Sequence, residues 1–125
     1  MDLEEFRDYC LSKIAASESM PFGEGILVFK VAGKLFALAA LDEIPATVNL
    51  KCNPDLALAL RDQYDQVQPG YHMNKKHWNT VEIDSGISDA ELRKMIDHSY
   101  ELVVQGLPKK TREKLRRSRR MQDLA

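Results

Sequence analysis

Residues 26–41, ILVFKVAGKLFALAAL, constrain the fold of this chain more than any other segment. The first six residues are mostly β-branched or aromatic, which is typical of a strand. Ala32-Gly33 is a candidate tight turn, and the apolar run after it predicts a second strand. Strands joined by so short a turn run antiparallel. The sequence therefore predicts a sheet built around this hairpin.

The segments beside the hairpin alternate between helical and extended patterns. Asp2 with Glu5 forms a capping-box pattern, and an apolar face at helical spacing follows it to about Ala16. Residues 47–52 alternate polar and apolar side chains, which predicts a half-buried third strand. Residues 53–55, Asn-Pro-Asp, then predict the start of a second helix that runs to about Tyr64.

The second half of the chain adds two strands and a helix. Val67 marks one strand, and Val81 and Ile83 mark the next. Ser88 begins a helix through a second capping box, and Gly106 ends it. The predicted order is α-β-β-β-α-β-β-α with a basic tail. This order predicts an α+β fold of two layers, an antiparallel sheet of about five strands with helices packed on it.

Charge divides the chain into a body and a tail. Residues 1–108 hold 10 Lys and Arg against 17 Asp and Glu, whereas residues 109–125 hold 8 against 2. We therefore predict one domain over residues 1–108 and a basic C-terminal tail over residues 109–125, as a marginal helix or disordered. A basic tail can bind nucleic acid, but it can also lie against its own acidic domain.

Composition narrows the compartment and the class of protein. The chain is 44% apolar and 30% charged over 125 residues, which is ordinary for a single globular domain. The longest apolar run is too short to cross a membrane, and the acidic N-terminus does not resemble an export signal. Cys10 and Cys52 lack metal-ligand spacing, so we expect two buried free thiols and a cytoplasmic protein.

Residues 69–81, PGYHMNKKHWNTV, concentrate the side chains that most resemble a site. His72 and His77 lie five residues apart in an extended or loop segment, so they make a metal site only if a turn brings them to one face. No serine or cysteine carries a nucleophile signature, and no phosphate or dinucleotide motif is present. We predict no catalytic residues, no metal and no cofactor, and expect the protein not to be an enzyme.

The chain resembles the MmcQ/YjbR family. The segments that carry the resemblance are PFG near residue 21, KVAGKLFAL, LKCNP, PGYHMNKKHW and DHSYELV, in the family's order and at its separations up to about residue 112. The resemblance implies a small α+β fold similar to type III secretion chaperones, also described as a double wing and labelled DNA-binding. The family's motif positions fall on Lys51, Cys52, Gly70, Tyr71, His72, Asn74, Lys75, Trp78, Ser99 and Tyr100.

Nucleic acid is the predicted partner, bound weakly and without sequence preference. The candidate residues combine phosphate donors with one aromatic side chain, and they are Tyr71, His72, Asn74, Lys75, Lys76, His77, Lys109, Lys110, Arg112, Arg116, Arg117, Arg119 and Arg120. Lysines at a hairpin tip are also explained as ordinary solvated residues, and Trp78 is better explained as a buried anchor. The alternative is a protein-interaction module that binds a partner or itself.

Overall fold

The sheet contains the predicted hairpin near its centre. In the computed structural model, which describes residues 1–124, the elements in chain order are α1 (Leu3–Leu11), β1 (Ala16–Ser19), β2 (Ile26–Val31), β3 (Lys34–Ala40), β4 (Thr47–Lys51), α2 (Pro54–Gln63), β5 (Val67–Pro69), β6 (Trp78–Glu82), α3 (Asp89–Gln105) and α4 (Lys109–Leu124). The strands form one antiparallel sheet in the order β1-β2-β3-β4-β6-β5. The α+β prediction is confirmed.

The sheet has six strands because the sequence reasoning missed β1. We expected the first helix to continue to about Ala16, but α1 ends at Leu11, and Ala15 adopts a left-handed conformation with φ 60°. The chain then turns into an edge strand in which Ala16 pairs with Val31. This strand has the sequence ASES and no buried side chain, so it lacks the apolar alternation by which a strand is recognised.

A β-bulge in β3 positions the helix layer. The register against β2 shifts so that Phe29 faces Ala37 and Lys30 faces Leu35, which leaves Phe36 as the extra residue. Phe36 and Ala37 are both fully buried in the main core. The bulge thereby adds an aromatic side chain to the face of the sheet on which the helices pack.

Ser99 pins α3 to the sheet at this bulge. Its hydroxyl donates to the Phe36 carbonyl at 2.5 Å and accepts from the Lys51 backbone N–H at 2.9 Å. One buried side chain therefore satisfies backbone groups of β3 and β4, which would otherwise lose a partner inside the core. The adjacent Tyr100 donates its hydroxyl to the Ile14 carbonyl at 2.6 Å, which ties α3 to the segment between α1 and β1.

The main core lies between the helices and one face of the sheet. A row of aromatic rings runs through it, with centroids 5.8 Å apart for Phe6 and Phe29 and 5.4 Å apart for Phe36 and Tyr100. Both pairs are edge-to-face, the arrangement that aromatic quadrupoles favour. A second, smaller cluster of Val28, Leu38 and Trp78, with Leu35 and Met73 against it, is made by strand and loop residues alone.

The helix starts largely follow the predicted caps. The Asp2–Glu5 capping box is complete, and Asn53 accepts from the first N–H groups of α2. Ser88 accepts from the Glu91 N–H at 3.2 Å, but the Glu91 carboxylate pairs with Lys94 and does not close the second box. Within residues 1–124, no helix is long and apolar enough to cross a membrane.

Candidate functional site

Residues 69–81, the candidate site of the sequence analysis, contain the loop of a β-hairpin. β5 and β6 pair antiparallel, with Val67 opposite Val81 and Pro69 opposite Asn79, and residues 70–77 form the loop between them. Asn74, Lys75 and Lys76 are exposed in this loop. Trp78 follows it and is only 9% exposed. The predicted hairpin with an exposed polar tip and a buried tryptophan is confirmed.

Gly70 allows the loop to leave β5 close to the opposite strand. A Cβ atom at this position would lie 2.8 Å from the Trp78 Cβ and 3.0 Å from the Trp78 carbonyl oxygen. The Gly70 N–H donates to that same carbonyl at 2.9 Å. The loop therefore needs glycine here because any side chain would separate the two strands at the point where they are hydrogen-bonded.

Hydrogen bonds within the loop reduce the freedom of its polar groups. The Asn74 side-chain oxygen accepts from the Lys76 N–H at 3.0 Å, which is the geometry of an Asx turn. The Lys75 ammonium donates to the Gly70 carbonyl at 3.2 Å. Of the two lysines at the tip, Lys75 is thus partly used by the loop itself, whereas no hydrogen bond or ion pair within residues 1–122 involves the Lys76 ammonium.

Arg61 fastens this loop to α2, and the sequence reasoning did not single it out. Its Nε donates to the Asn79 Oδ1 at 2.7 Å, and its Nη2 donates to the Lys75 carbonyl and to the Trp78 carbonyl, the latter at 3.3 Å. The guanidinium fork suits several acceptors at once. The sequence signal was an arginine in the last turn of a predicted helix, and this signal does not indicate which carbonyls the loop presents.

The two aromatic side chains of the stretch have different environments. Trp78 packs with Val28 and Leu38, as the anchor interpretation predicts. Tyr71 is 68% exposed, so it is not the half-buried anchor that this residue type usually forms. Its ring centroid lies 3.9 Å from that of His72, which adopts φ 59°. The two exposed rings are tilted by 51° relative to each other, so each presents a separate face beside the tip.

The basic segment past residue 108 is the helix α4, with one face against the domain. Leu115 is buried in the main core, and Arg119 pairs with Glu101 at 2.8 Å and lies 5.4 Å from the Tyr100 ring centroid. Arg112 is half-buried with its Nε enclosed. These three residues follow the i, i+3, i+7 spacing of one helix face. The division into a domain over residues 1–108 and a basic tail over residues 109–125 stays a prediction.

The other face of α4 presents the remaining cations to solvent. Six cations are exposed, and none of them has an ion pair within residues 1–122: Lys109, Lys110, Lys114, Arg116, Arg117 and Arg120. Residues three and four apart on a helix lie about 5–6 Å from one another. Over residues 109–122 the outward face is therefore a continuous band of positive charge with Glu113 as its one acidic member.

The structure does not join the two groups of candidate residues. No hydrogen bond, ion pair or ring contact described for residues 1–122 connects the 70–77 loop to α4. The loop is held by α2, by β6 and by the residue that follows β4, whereas α4 packs against α3. The loop and the helix are therefore treated as two separate surfaces.

The serine and cysteine side chains considered as possible nucleophiles outside the loop are buried or already hydrogen-bonded. Ser99 is fully buried, with its hydroxyl engaged on both sides. Burial raises the pKa of the Cys52 thiol to about 11 and raises that of Cys10 further, so both thiols are protonated at neutral pH. Among the described residues, no three His, Cys, Asp or Glu side chains are grouped closely enough to hold a metal ion.

Comparison with known proteins now identifies the family. A sequence profile of the YjbR family matches residues 11–102. The chain belongs to the YjbR family. It is 36% identical over 115 residues to the protein YjbR of Escherichia coli K12, covering 92% of this chain and 98% of that protein. It is 44% identical over 97 residues to YbdF of Escherichia coli O157:H7, covering 77% and 79%.

Solved structures of similar proteins share the fold. The crystal structure of Deinococcus radiodurans DR2400, which contains a DUF419 domain, matches with a TM-score of 0.85 at 33% identity, covering 90% of this chain and 86% of that one. A crystal structure from Pseudomonas syringae matches with a TM-score of 0.72 at 28% identity, covering 82% and 98%. YjbR and YbdF are both described as uncharacterized proteins, so membership gives the fold and assigns no activity.

Several of the residues that carry the family resemblance stabilise the fold of this chain. The Ser99 and Tyr100 hydroxyls tie α3 to the sheet and to the α1–β1 segment. The Cys52 N–H donates to the His77 carbonyl at 2.7 Å, which holds the end of the loop beside β4. Gly70 and Trp78 shape the loop. The motif positions that remain exposed are those at the tip of the loop, Tyr71, His72, Asn74 and Lys75.

Proposed function

We propose that this YjbR-family domain is a non-enzymatic protein that binds duplex DNA weakly and without strong sequence preference, through the outward face of α4. The observation that carries the proposal is the division of that helix into two faces. Leu115 and Arg119 hold it on the domain, while exposed cations cover its other side. Phosphate contacts of this kind position DNA but do not select a base sequence.

The loop between β5 and β6 is a second, weaker contact in this proposal. Lys76 and the exposed ring of Tyr71 supply one phosphate donor and one stacking surface. Lys75 contributes less because its ammonium already donates to the Gly70 carbonyl. The acidic body disfavours phosphate around the rest of the domain, so we expect affinity to be low and strongly dependent on salt.

The test compares two sets of three cations in the full-length chain. Arg116, Arg117 and Arg120 lie together on the outward face of α4. Their replacement by glutamine is matched by replacement of Lys30, Lys34 and Arg93, which lie on other elements. Each set lowers the formal net charge of −1 by three, so overall repulsion from DNA is equal in the two variants.

Fluorescence anisotropy with a labelled duplex across a salt series gives the readout. We expect the α4 set to lower affinity and to flatten the logarithmic salt slope by up to about 2.7, which is about 0.9 for each lost phosphate contact. The matched set should change affinity less and leave the slope intact. Equal effects of the two sets, or no measurable binding by the native chain at low salt, would refute the α4 interface.

The alternative function is a protein-interaction module. It is favoured by the Val28, Leu38 and Trp78 cluster, which contains no helix residue, and by the exposed Phe22 and Tyr71 side chains. An apolar interface depends little on salt, whereas phosphate binding weakens steeply as salt rises. Light scattering at low and high salt therefore separates self-association through the face of the sheet that carries this cluster from DNA binding.

We also propose that the protein is cytoplasmic. The free thiols of Cys10 and Cys52 support a reducing compartment.

A further inference from the structure

A cavity of about 170 Å³ lies between α2 and α3, on the face of the sheet that the helices cover. Most of its lining is apolar, with Leu56 and Leu60 from α2, Met95 from α3, and Leu50 and Val81 from the sheet. Apolar cavities of roughly 150 Å³ hold a benzene-sized molecule. None of the residues proposed to bind DNA borders this cavity, so it is an independent site.

Asn79 supplies a buried hydrogen-bond donor at this cavity. It is 2% exposed and borders the cavity from β6, and its Nδ2 has no hydrogen-bond partner among the described residues. The orientation of the amide is settled by Arg61, because the Nε–H of that arginine needs the Asn79 oxygen as its acceptor at 2.7 Å. The donor end therefore cannot exchange places with the oxygen. A buried amide donor without an acceptor costs free energy that a ligand oxygen would recover.

His98 also borders the cavity, from α3. Its Nε2 accepts from the Asn53 backbone N–H at 3.1 Å, which puts the ring proton of the neutral form on Nδ1. Burial lowers the pKa of His98, so the neutral form prevails at neutral pH. The ring borders the cavity, and no hydrogen bond from Nδ1 to another described residue is formed.

The charges at the cavity cancel, and this selects against ionic ligands. Three charged residues border it. Lys94 and Glu91 pair with each other at 3.2 Å. Lys51 follows the core-facing Leu50 and lies opposite Trp78 of the second cluster, so its side chain is directed to the other face of the sheet and only its backbone lines the cavity. A carboxylate or an ammonium entering the apolar interior would lose its hydration without gaining an uncompensated counter-charge. An uncharged molecule with one acceptor loses little hydration and gains the hydrogen bond from Asn79.

We propose that this cavity binds a small, uncharged, mostly apolar molecule that carries a carbonyl oxygen, with the oxygen accepting from the Asn79 Nδ2. The apolar part lies against Leu56, Leu60 and Met95. This ligand class follows from the volume, the apolar lining and the donor, and it does not depend on whether the domain binds DNA.

The probe for this site is acetophenone, an aromatic ketone of suitable size, with toluene and benzoate as comparisons. We expect acetophenone to produce saturable shifts of the Asn79 side-chain amide and the Leu56 and Leu60 methyl groups in NMR titrations. Toluene, which lacks the acceptor, should bind about fivefold more weakly, and benzoate should not enter.

Two substitutions of the same chemical type decide the role of Asn79. Asn79→Asp keeps an acceptor for Arg61 but removes the donor, so acetophenone should lose its advantage over toluene. Asn49→Asp is the matched control, because Asn49 accepts from Thr80 and does not border the cavity. Leu56→Phe, at a partly exposed wall position, should fill the cavity and abolish binding of both compounds. Absence of saturable shifts with acetophenone, or an unchanged preference for it in Asn79→Asp, would overturn the proposal.

Discussion

Replacement of Arg61 by leucine isolates the contact that holds the 70–77 loop to the domain. The native guanidinium bridges the Asn79 side chain and the carbonyls of Lys75 and Trp78. Leucine retains the apolar volume near the helix but donates to none of these oxygens. The substitution therefore separates the hydrogen bonds of this arginine from its packing.

The expected loss of stability comes mainly from Asn79. Its side chain is 2% exposed, so its oxygen has no access to water once the Arg61 donor is gone, and its Nδ2 has no partner already. The Lys75 carbonyl belongs to an exposed residue and can bond to water instead. One orphaned buried acceptor and partial loss at two carbonyls predict a decrease of about 2–4 kcal/mol in the free energy of unfolding.

Urea unfolding of a double-mutant cycle measures this contribution. Arg61→Leu should lose the full amount, and adding Asn79→Leu should recover about 1–3 kcal/mol because the buried side-chain amide is then no longer present without its partner. Arg117→Leu, at an exposed position of α4, should change stability by less than about 0.5 kcal/mol. A coupling energy near zero between Arg61 and Asn79 would refute the account of the anchor.

Three further outcomes follow from the same contacts. Ser99→Ala should cost about 2–4 kcal/mol in urea unfolding because the Phe36 carbonyl and the Lys51 N–H both lose their partner, whereas the exposed Ser118→Ala should cost under about 0.5 kcal/mol. Gly70→Ala should cost about 1–3 kcal/mol through the contact with Trp78, and Gly106→Ala, which meets nothing closer than 3.5 Å, should be near neutral; equal costs would contradict the steric argument. Thiol titration without reductant should give two reactive groups in unfolded protein and slow reaction in the folded state, and a count of zero would mean a disulfide.

The parts of the fold that the sequence predicted are those with a strong local signal. The hairpin of β2 and β3, the Asn53 cap and the end of α3 depend on apolar alternation and on residues that cap helices, and each was placed within a residue or two. β1 has neither signal, because this edge strand of small polar residues is held by backbone pairing with β2 and by the ion pair of Glu18 with Arg7. Its presence depends on the left-handed turn at Ala15, a conformation that alanine rarely adopts and that no sequence pattern indicates.

The features of the candidate site that could be predicted are likewise those that depend on residues close together in the sequence, whereas those that depend on tertiary contacts could not. The exposed tip of the loop was predictable because it lies between a Pro-Gly turn and an apolar strand. The contacts between distant parts of the chain were not predictable. Arg61 is 14 residues from Lys75, whose carbonyl it binds, and the cavity is formed by four elements. A pattern along the chain carries no information on which distant carbonyl a guanidinium meets.

Deletion of α4 cannot test whether its cations bind DNA, because the helix also packs against the domain. Leu115 is only 6% exposed and belongs to the main core, and truncation of such a residue to alanine typically costs about 2–5 kcal/mol. Deletion of residues 109–125 would also leave Glu101 without Arg119. A truncated chain that failed to bind DNA would thus report loss of packing as readily as loss of cations. Only substitutions on the outward face, which leave Leu115 and Arg119 in place, assign the effect to charge.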